Sequence, residues 1–270
     1  MDSTKPFAVV TGASSGIGLE LAKEFARNGF DLLLTAEPDD RLPAAALEIE
    51  ALGASVRTVG ADLVHKEGVH TLYEAIKATG QPVDAIAINA GVGVGGDFRE
   101  TDLDAEINMI ELNCVSTVHL AKHMAQDMTA RGSGRILFTA SIASLMPAPF
   151  EAVYGATKAF VFSFSEALRN ELKDTGVSVT ALMPGVTETD FFHRAGMDET
   201  PVGQNKKDDP AAVARDGFKA LMAGKDKVIA GSLKTKVMGL GSELMKPTAS
   251  AEVHRKMSEP LEGQPEDREK

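Results

Sequence analysis

The chain has 270 residues, 43% hydrophobic and 25% charged, which fits one α/β unit with a sizeable core and excludes fibrous repeats and wholesale disorder. Its formal net charge of -11 repels nucleic acid and anionic membranes, leaving small molecules as the expected partner class. Cys114 is the only cysteine, residues 1–6 carry no apolar leader, and no apolar run approaches bilayer-spanning length, so a soluble cytoplasmic protein is expected.

In chain order, Phe7-Ala8-Val9-Val10 is a short apolar run ending at Thr11-Gly12-Ala13-Ser14-Ser15-Gly16-Ile17-Gly18. Ile17, Leu21, Ala22 and Phe25 then recur at helical spacing, so the pattern predicts strand, glycine turn, helix. Glycines let such a turn approach a ligand closely, and the open N–H groups of the helix start face an anion such as pyrophosphate. Ser14 and Ser15 add hydroxyl donors. A second strand over 31–36 runs directly into Glu37. A carboxylate there accepts hydrogen bonds from ribose hydroxyls and repels a 2′-phosphate, which favours NAD over NADP; Arg41 keeps NADP open.

A helix over about 40–52 and a strand over 55–59 follow, and Asp62-Leu63 comes just past that strand, on the side of an adenine if the sheet is parallel. The next helix covers 66–79; the fourth strand, 84–88, closes at Asn89-Ala90-Gly91 and a glycine-rich loop to Gly96. A capping segment at 101–104 predicts one long helix to about Ala130 with Asn113 midway, where an Asn reads as a surface residue or a local hydrogen-bonder. His65 and His70 read as surface residues, and His119 and His123 lack an intervening Glu, so no metal site is expected. A fifth strand, 135–139, leads to Ser141.

The helix expected over 151–175 carries Tyr154 four residues ahead of Lys158, which puts both on one face. Bringing a phenol from about 10 to about 7 takes about 4 kcal/mol. One cation about 4 Å away supplies that at an effective dielectric near 20, so Lys158 alone suffices to make Tyr154 a base. The same helix crowds Phe160, Val161, Phe162 and Phe164 beyond what one stripe holds, predicting cover on its second side, most simply by another subunit. A sixth strand, 177–183, ends at Pro184-Gly185-Val186-Thr187, and the aperiodic stretch over about 186–209, with Phe191 and Phe192, reads as a substrate lid. A helix over 210–223, a short strand over 228–230 and a helix beyond Ser232 complete a single domain, 1–258, before a charged tail, 259–270, expected to be unstructured.

Repeated strand–helix alternation specifies a doubly wound parallel sheet, Rossmann-like, whose ligand site lies at the carboxyl ends of the strands. Every motif above falls at such an end. The chain here resembles the short-chain dehydrogenase/reductase family in its most populous branch, over about residues 7–230. Thr11 to Gly18 matches the family's cofactor turn, Asn89-Ala90-Gly91 its strand-four motif, Asn113, Ser141, Tyr154 and Lys158 its catalytic tetrad, and Pro184-Gly185 its strand-six motif.

The resemblance implies a hydride transfer between NAD(P) and a secondary alcohol or ketone, with Tyr154 as general acid/base and Ser141 on the substrate oxygen. Lys158 is implied to tune Tyr154 and hold the nicotinamide ribose, and Asn113 to hold a water linked to Lys158. It further implies a homodimer or homotetramer built through the helices containing Asn113 and Tyr154. The expected substrate lining is Gly93, Val94, Met146, Pro147, Phe150, Val186, Phe191 and Phe192, small or apolar side chains suited to an uncharged substrate. A carrier-bound 3-oxoacyl group and a non-catalytic redox sensor are the alternatives.

Overall fold

The computed structural model describes residues 5–261. Seven parallel strands, β1 (Phe7–Thr11), β2 (Asp31–Ala36), β3 (Val56–Gly60), β4 (Ala85–Ile88), β5 (Gly134–Thr139), β6 (Val177–Pro184) and β7 (Lys227–Ala230), form one sheet. Their order is β3-β2-β1-β4-β5-β6-β7. Side chains alternate across a strand, so a strand buried on both faces reads as a continuous apolar run. Val9 and Ile86 thus enter one core layer, with Leu72 of α3 (Lys66–Ala78), Met124 of α5 (Thr117–Arg131) and Val161 of α6 (Ala152–Glu171). Ala8, Val10 and Ala87 enter the other, with Phe25 of α1 (Gly16–Arg27), Ile49 of α2 (Arg41–Glu50) and Leu221 of α9 (Pro210–Met222).

β1 pairs with β2 on one side and β4 on the other, so strand order reverses there and the connecting helices part. Such a switch point opens a crevice beyond the strand carboxyl ends. The glycine turn, Asn89, Ser141 and Pro184 all reach it.

Three departures from the sequence reading bear on that crevice. The long helix carrying Asn113 is α4 (Leu103–Ile110) and α5 joined by a π-helical turn, Glu111–Ser116. Single π-turns insert an extra residue and re-aim the side chains around them. The stretch over 186–209 contains α7 (Phe191–Arg194) and α8 (Pro201–Gln204), around a small core of Phe192, Ala195, Met197 and Val202. After α10 (Leu233–Leu244) comes an unanticipated helix, α11 (Pro247–Ser258), that packs on α8.

Of the tail expected to be unstructured, Leu261 N–H donates to the Glu199 carbonyl at 2.8 Å, and 262–270 lie outside the described residues. Among the described residues, no helix is long and apolar enough to cross a membrane, and no group of three or more His, Cys, Asp or Glu is placed to hold a metal ion.

Candidate active site

The glycine turn is shaped by what a side chain would strike. A Cβ on Gly18 would lie 2.0 Å from the Gly12 carbonyl oxygen, and Gly12 itself sits at φ +64°, with Ala90 Cα 3.0 Å from where its Cβ would be. Ser15 caps α1 without a side-chain capping bond, and no acidic residue occupies the first turn, so the helix start presents positive potential to the crevice. Thr11 Oγ1 accepts from Asn89 N–H and Ala90 N–H at 2.9 Å each. Asn89 donates from Nδ2 to the Thr11 carbonyl at 3.1 Å and accepts from Thr139 Oγ1 at 3.0 Å. These bonds staple the carboxyl ends of β1, β4 and β5 around the turn. Sequence reasoning placed Thr11 in the turn without this stapling role and gave Thr139 none, because a buried Thr at a strand end looks like any β-branched core residue.

Residues 12, 14–18, 37, 62, 63, 89–91 and 184–187, which carry the cofactor expectations, all line this one cleft. Glu37 is exposed at its rim, and Arg41 is tied to Asp39, its Nε donating to Oδ2 at 2.7 Å. The cradle of glycines a Cβ would fill, N–H donors at the open helix start and an acceptor carboxylate at Glu37 fit a dinucleotide's pyrophosphate and ribose.

At the other end lie Ser141, Tyr154 and Lys158. Ser141 Oγ accepts from Ala143 N–H at 3.1 Å, as the cap of a 3-10 turn over Ile142–Leu145, which fixes its rotamer and leaves its O–H to donate into the cleft. The Tyr154 ring lies 5.1 Å from that of Phe191. Lys158, 5% exposed, donates from Nζ to the Thr139 carbonyl at 3.0 Å. Its ammonium stands 5.8 Å from the Tyr154 ring centroid.

The expected lowering of the Tyr154 pKa is absent. Burial pushes the phenol above its ordinary value, Glu151 adds to the rise, and Ser141 opposes it. Burial also pulls Lys158 down to about 8, against a small contribution from Cys114. Helical spacing places the two side chains on one face, but burial dominates the shift of each, and the charge that acts on the phenol is that of Glu151.

Asn113 lies behind the cleft wall, 1% exposed. Val92 N–H donates to its Oδ1 at 3.0 Å, and its Nδ2 donates to the Val92 carbonyl at 2.9 Å and to Thr157 Oγ1 at 3.0 Å. It therefore clamps the loop after β4 to α6 by bonds to residues 21 and 44 positions away, which the reading of a mid-helix Asn as a surface residue or a local hydrogen-bonder did not foresee. Of the expected substrate lining, Gly93, Met146, Val186, Phe191 and Phe192 face the cleft; Val94, Pro147 and Phe150 do not. Phe150 adopts φ 64° and turns its ring under the Arg255 guanidinium, 5.1 Å from the centroid, so it does not line the cleft as expected.

The cleft also has walls that sequence reasoning missed: Glu151, at the start of α6, and His254, Met257 and Ser258 of α11. Ser258 Oγ donates to Glu151 Oε2 at 2.8 Å, His254 Nε2 stands 3.4 Å from the same oxygen, and Ser258 Oγ lies 3.4 Å from His254 Nδ1. Burial raises the Glu151 carboxyl to about 7, although the Ser258 bond acts to lower it. Burial lowers His254, outweighing a hydrogen bond with the Pro149 backbone. The available signals were Pro247 at a helix start and Pro260 just past its end.

Residues 6–200 match the family model for short chain dehydrogenase. An uncharacterized oxidoreductase from Staphylococcus saprophyticus is 34% identical over 79% of this chain and 90% of its own. The fold is similar to that of a short-chain dehydrogenase from Sphingobium yanoikuyae in complex with NADPH, with TM-score 0.77, 27% identity and coverage of 97% of this chain and 99% of that one. It is likewise similar to L-sorbose reductase from Gluconobacter frateurii complexed with NADPH and L-sorbose, with TM-score 0.72, 29% identity and coverage of 86% and 97%. The glycine cradle at a sheet switch point and these likenesses together make the chain an NAD(P)-dependent oxidoreductase that belongs to the short-chain dehydrogenase family.

Proposed function

We propose that the chain interconverts a secondary alcohol and its ketone, with Tyr154 as general acid/base. The observation that carries this reading is the meeting of Ser141 and Tyr154 at one end of a cleft whose other end is the glycine cradle. N–H groups of the turn over 12–18 would hold the pyrophosphate, Glu37 the adenosine ribose, Asp62 and Leu63 the adenine, and Lys158 the second ribose. Residues 89–91 and 184–187 would flank the nicotinamide half. A nicotinamide cofactor supplies or accepts the hydride when bound.

Ser141 donates to the substrate oxygen and fixes its position beside the phenol. With its phenol kept protonated by burial, Tyr154 is in the state required of the acid that protonates the alkoxide during ketone reduction. In oxidation the same atom takes the proton, after substrate and cofactor have changed its surroundings. Asn113 acts by holding Val92 and Thr157 rather than by touching substrate.

The Glu37 carboxylate at the rim, with Arg41 engaged by Asp39, supports NAD over NADP. Segment 186–209 serves as the lid: Phe191 reaches the Tyr154 ring, and Gly95 N–H donates to the Ala195 carbonyl at 2.9 Å. Exposed Ile107, Val115 and Val118 beside exposed Phe160 support pairing of two copies through α4–α5 and α6.

The test is a panel of ketones and secondary alcohols assayed with both cofactors by nicotinamide absorbance. Turnover by wild type and its loss in Tyr154→Phe, with cofactor binding retained, is the expected result. Equal turnover by Tyr154→Phe refutes the tyrosine assignment. Binding of cofactor with no turnover across the panel favours a sensor.

A further inference from the structure

Glu151, Ser258 and His254 form a polar pole in an otherwise apolar substrate region walled by Met146, Phe191 and Met257. Glu151 is 7% exposed and lines the cleft, so what it exposes faces the substrate space. Among the described residues it has no Lys or Arg partner; its contacts are the Ser258 hydroxyl and the His254 ring. A carboxyl, a hydroxyl and an imidazole can each donate and accept, depending on protonation. A hydroxyl ligand matches such a set in both senses, whereas an ammonium offers no acceptor and a carboxylate no donor.

We propose that Glu151, with Ser258 and His254, is a second polar subsite that selects alcohols or ketones carrying an additional hydroxyl a short chain away from the reacting carbon. This rests on the alcohol–ketone reading of the same cleft and names its substrate class. Spacing follows from the cap position. Glu151 is the cap residue three positions ahead of Tyr154, and its carboxyl is near enough to act on the phenol electrostatically, so a short carbon chain of about two to four atoms links the two polar groups.

Two further facts support a built subsite. Burial brings the carboxyl close to half-ionised near neutrality, so it accepts or donates at little cost. The subsite is also assembled from parts remote in sequence, α11 closing on the start of α6, while Leu261 N–H on the Glu199 carbonyl ties the chain just past α11 to the lid. A purely apolar substrate would strip water from these groups and return no bond, the penalty by which polar sites reject apolar analogues.

The test pairs methyl ethyl ketone and methyl propyl ketone with the same ketones carrying a terminal hydroxyl. Wild type should favour the hydroxyl-bearing member in kcat/KM by about tenfold to a hundredfold, the discrimination that one hydrogen bond to an ionisable group sustains. Glu151→Met should bring the pairs to parity mainly through KM, and Glu151→Gln, which keeps an oxygen acceptor, should retain most of the preference. Parity in wild type, or a preference that survives Glu151→Met, overturns the proposal.

If neither ketone is turned over, the alcohol–ketone reading fails by itself and binding decides the subsite. Terminal diols should then raise the melting temperature of cofactor-loaded wild type and Glu151→Gln more than the matching mono-alcohols do, and should lose that advantage in Glu151→Met. Equal shifts for diol and mono-alcohol in wild type overturn the subsite.

Discussion

Replacing Glu151 by glutamine removes a carboxyl that burial lifts from an ordinary 4.5 to about 7. The folded chain therefore holds this proton more tightly than the unfolded chain does. The proton's contribution to stability is fully present below about 4.5 and is lost as pH rises through about 7. At about 1.4 kcal/mol per pH unit, the gap corresponds to about 3 kcal/mol. Glutamine keeps an oxygen to accept the Ser258 hydroxyl and has no proton to lose. The stability of Glu151→Gln relative to wild type should thus rise by about 2–3 kcal/mol between about pH 5 and about pH 8, the larger part of that gap. Urea unfolding followed by far-UV circular dichroism at about pH 5 and about pH 8 measures this directly. A difference that is flat across that window refutes the argument, as does wild type gaining on the variant, since either would mean that water or a cation solvates the carboxylate.

Four other outcomes are expected. Gly18→Ala would place a Cβ 2.0 Å from the Gly12 carbonyl oxygen, so cofactor affinity by fluorescence titration should fall by about a hundredfold or more; unchanged affinity would mean that the turn relaxes freely. Asn113→Ala breaks the two-way bridge to Val92 and the bond to Thr157, and should cost about 2–4 kcal/mol in denaturant unfolding. Lys158, lowered to about 8 by burial, should lose its ammonium as pH rises past that value, so cofactor affinity should decline above about pH 8; a flat profile to about pH 9 would remove it from cofactor binding. Phe160→Glu, at a position 44% exposed, should shift the light-scattering mass toward the monomer, and an unchanged oligomer would place the interface elsewhere.

Much of the fold and half of the site could be read from local signals, because they depend on local chemistry. Apolar runs marked β1, β2 and β4, since a strand covered on both faces must be apolar throughout, while the edge strand β3, VRTVG and largely uncovered, was marked by its place in the strand–helix alternation. Glycines at 12, 16 and 18 marked the cradle, because backbone curvature there admits no side chain. Strand ends at Asn89, Ser141 and Pro184 converge once the sheet is parallel, so their meeting in one cleft followed from topology alone.

What the tertiary structure decided depends on distance and on water. The spacing of Tyr154 and Lys158 is a local fact, yet the phenol's pKa rises, because desolvation is a property of everything packed around it. Phe150 turns to Arg255 rather than to the substrate space, a choice made by a helix about a hundred residues further along. That helix, α11, buries Ser250, His254 and Ser258 at every fourth position, a polar stripe that a search for apolar periodicity passes over. Its bond from Ser258 to Glu151 joins residues 107 apart. No local pattern encodes such a contact, and it places a carboxyl, a hydroxyl and an imidazole together in the cleft wall.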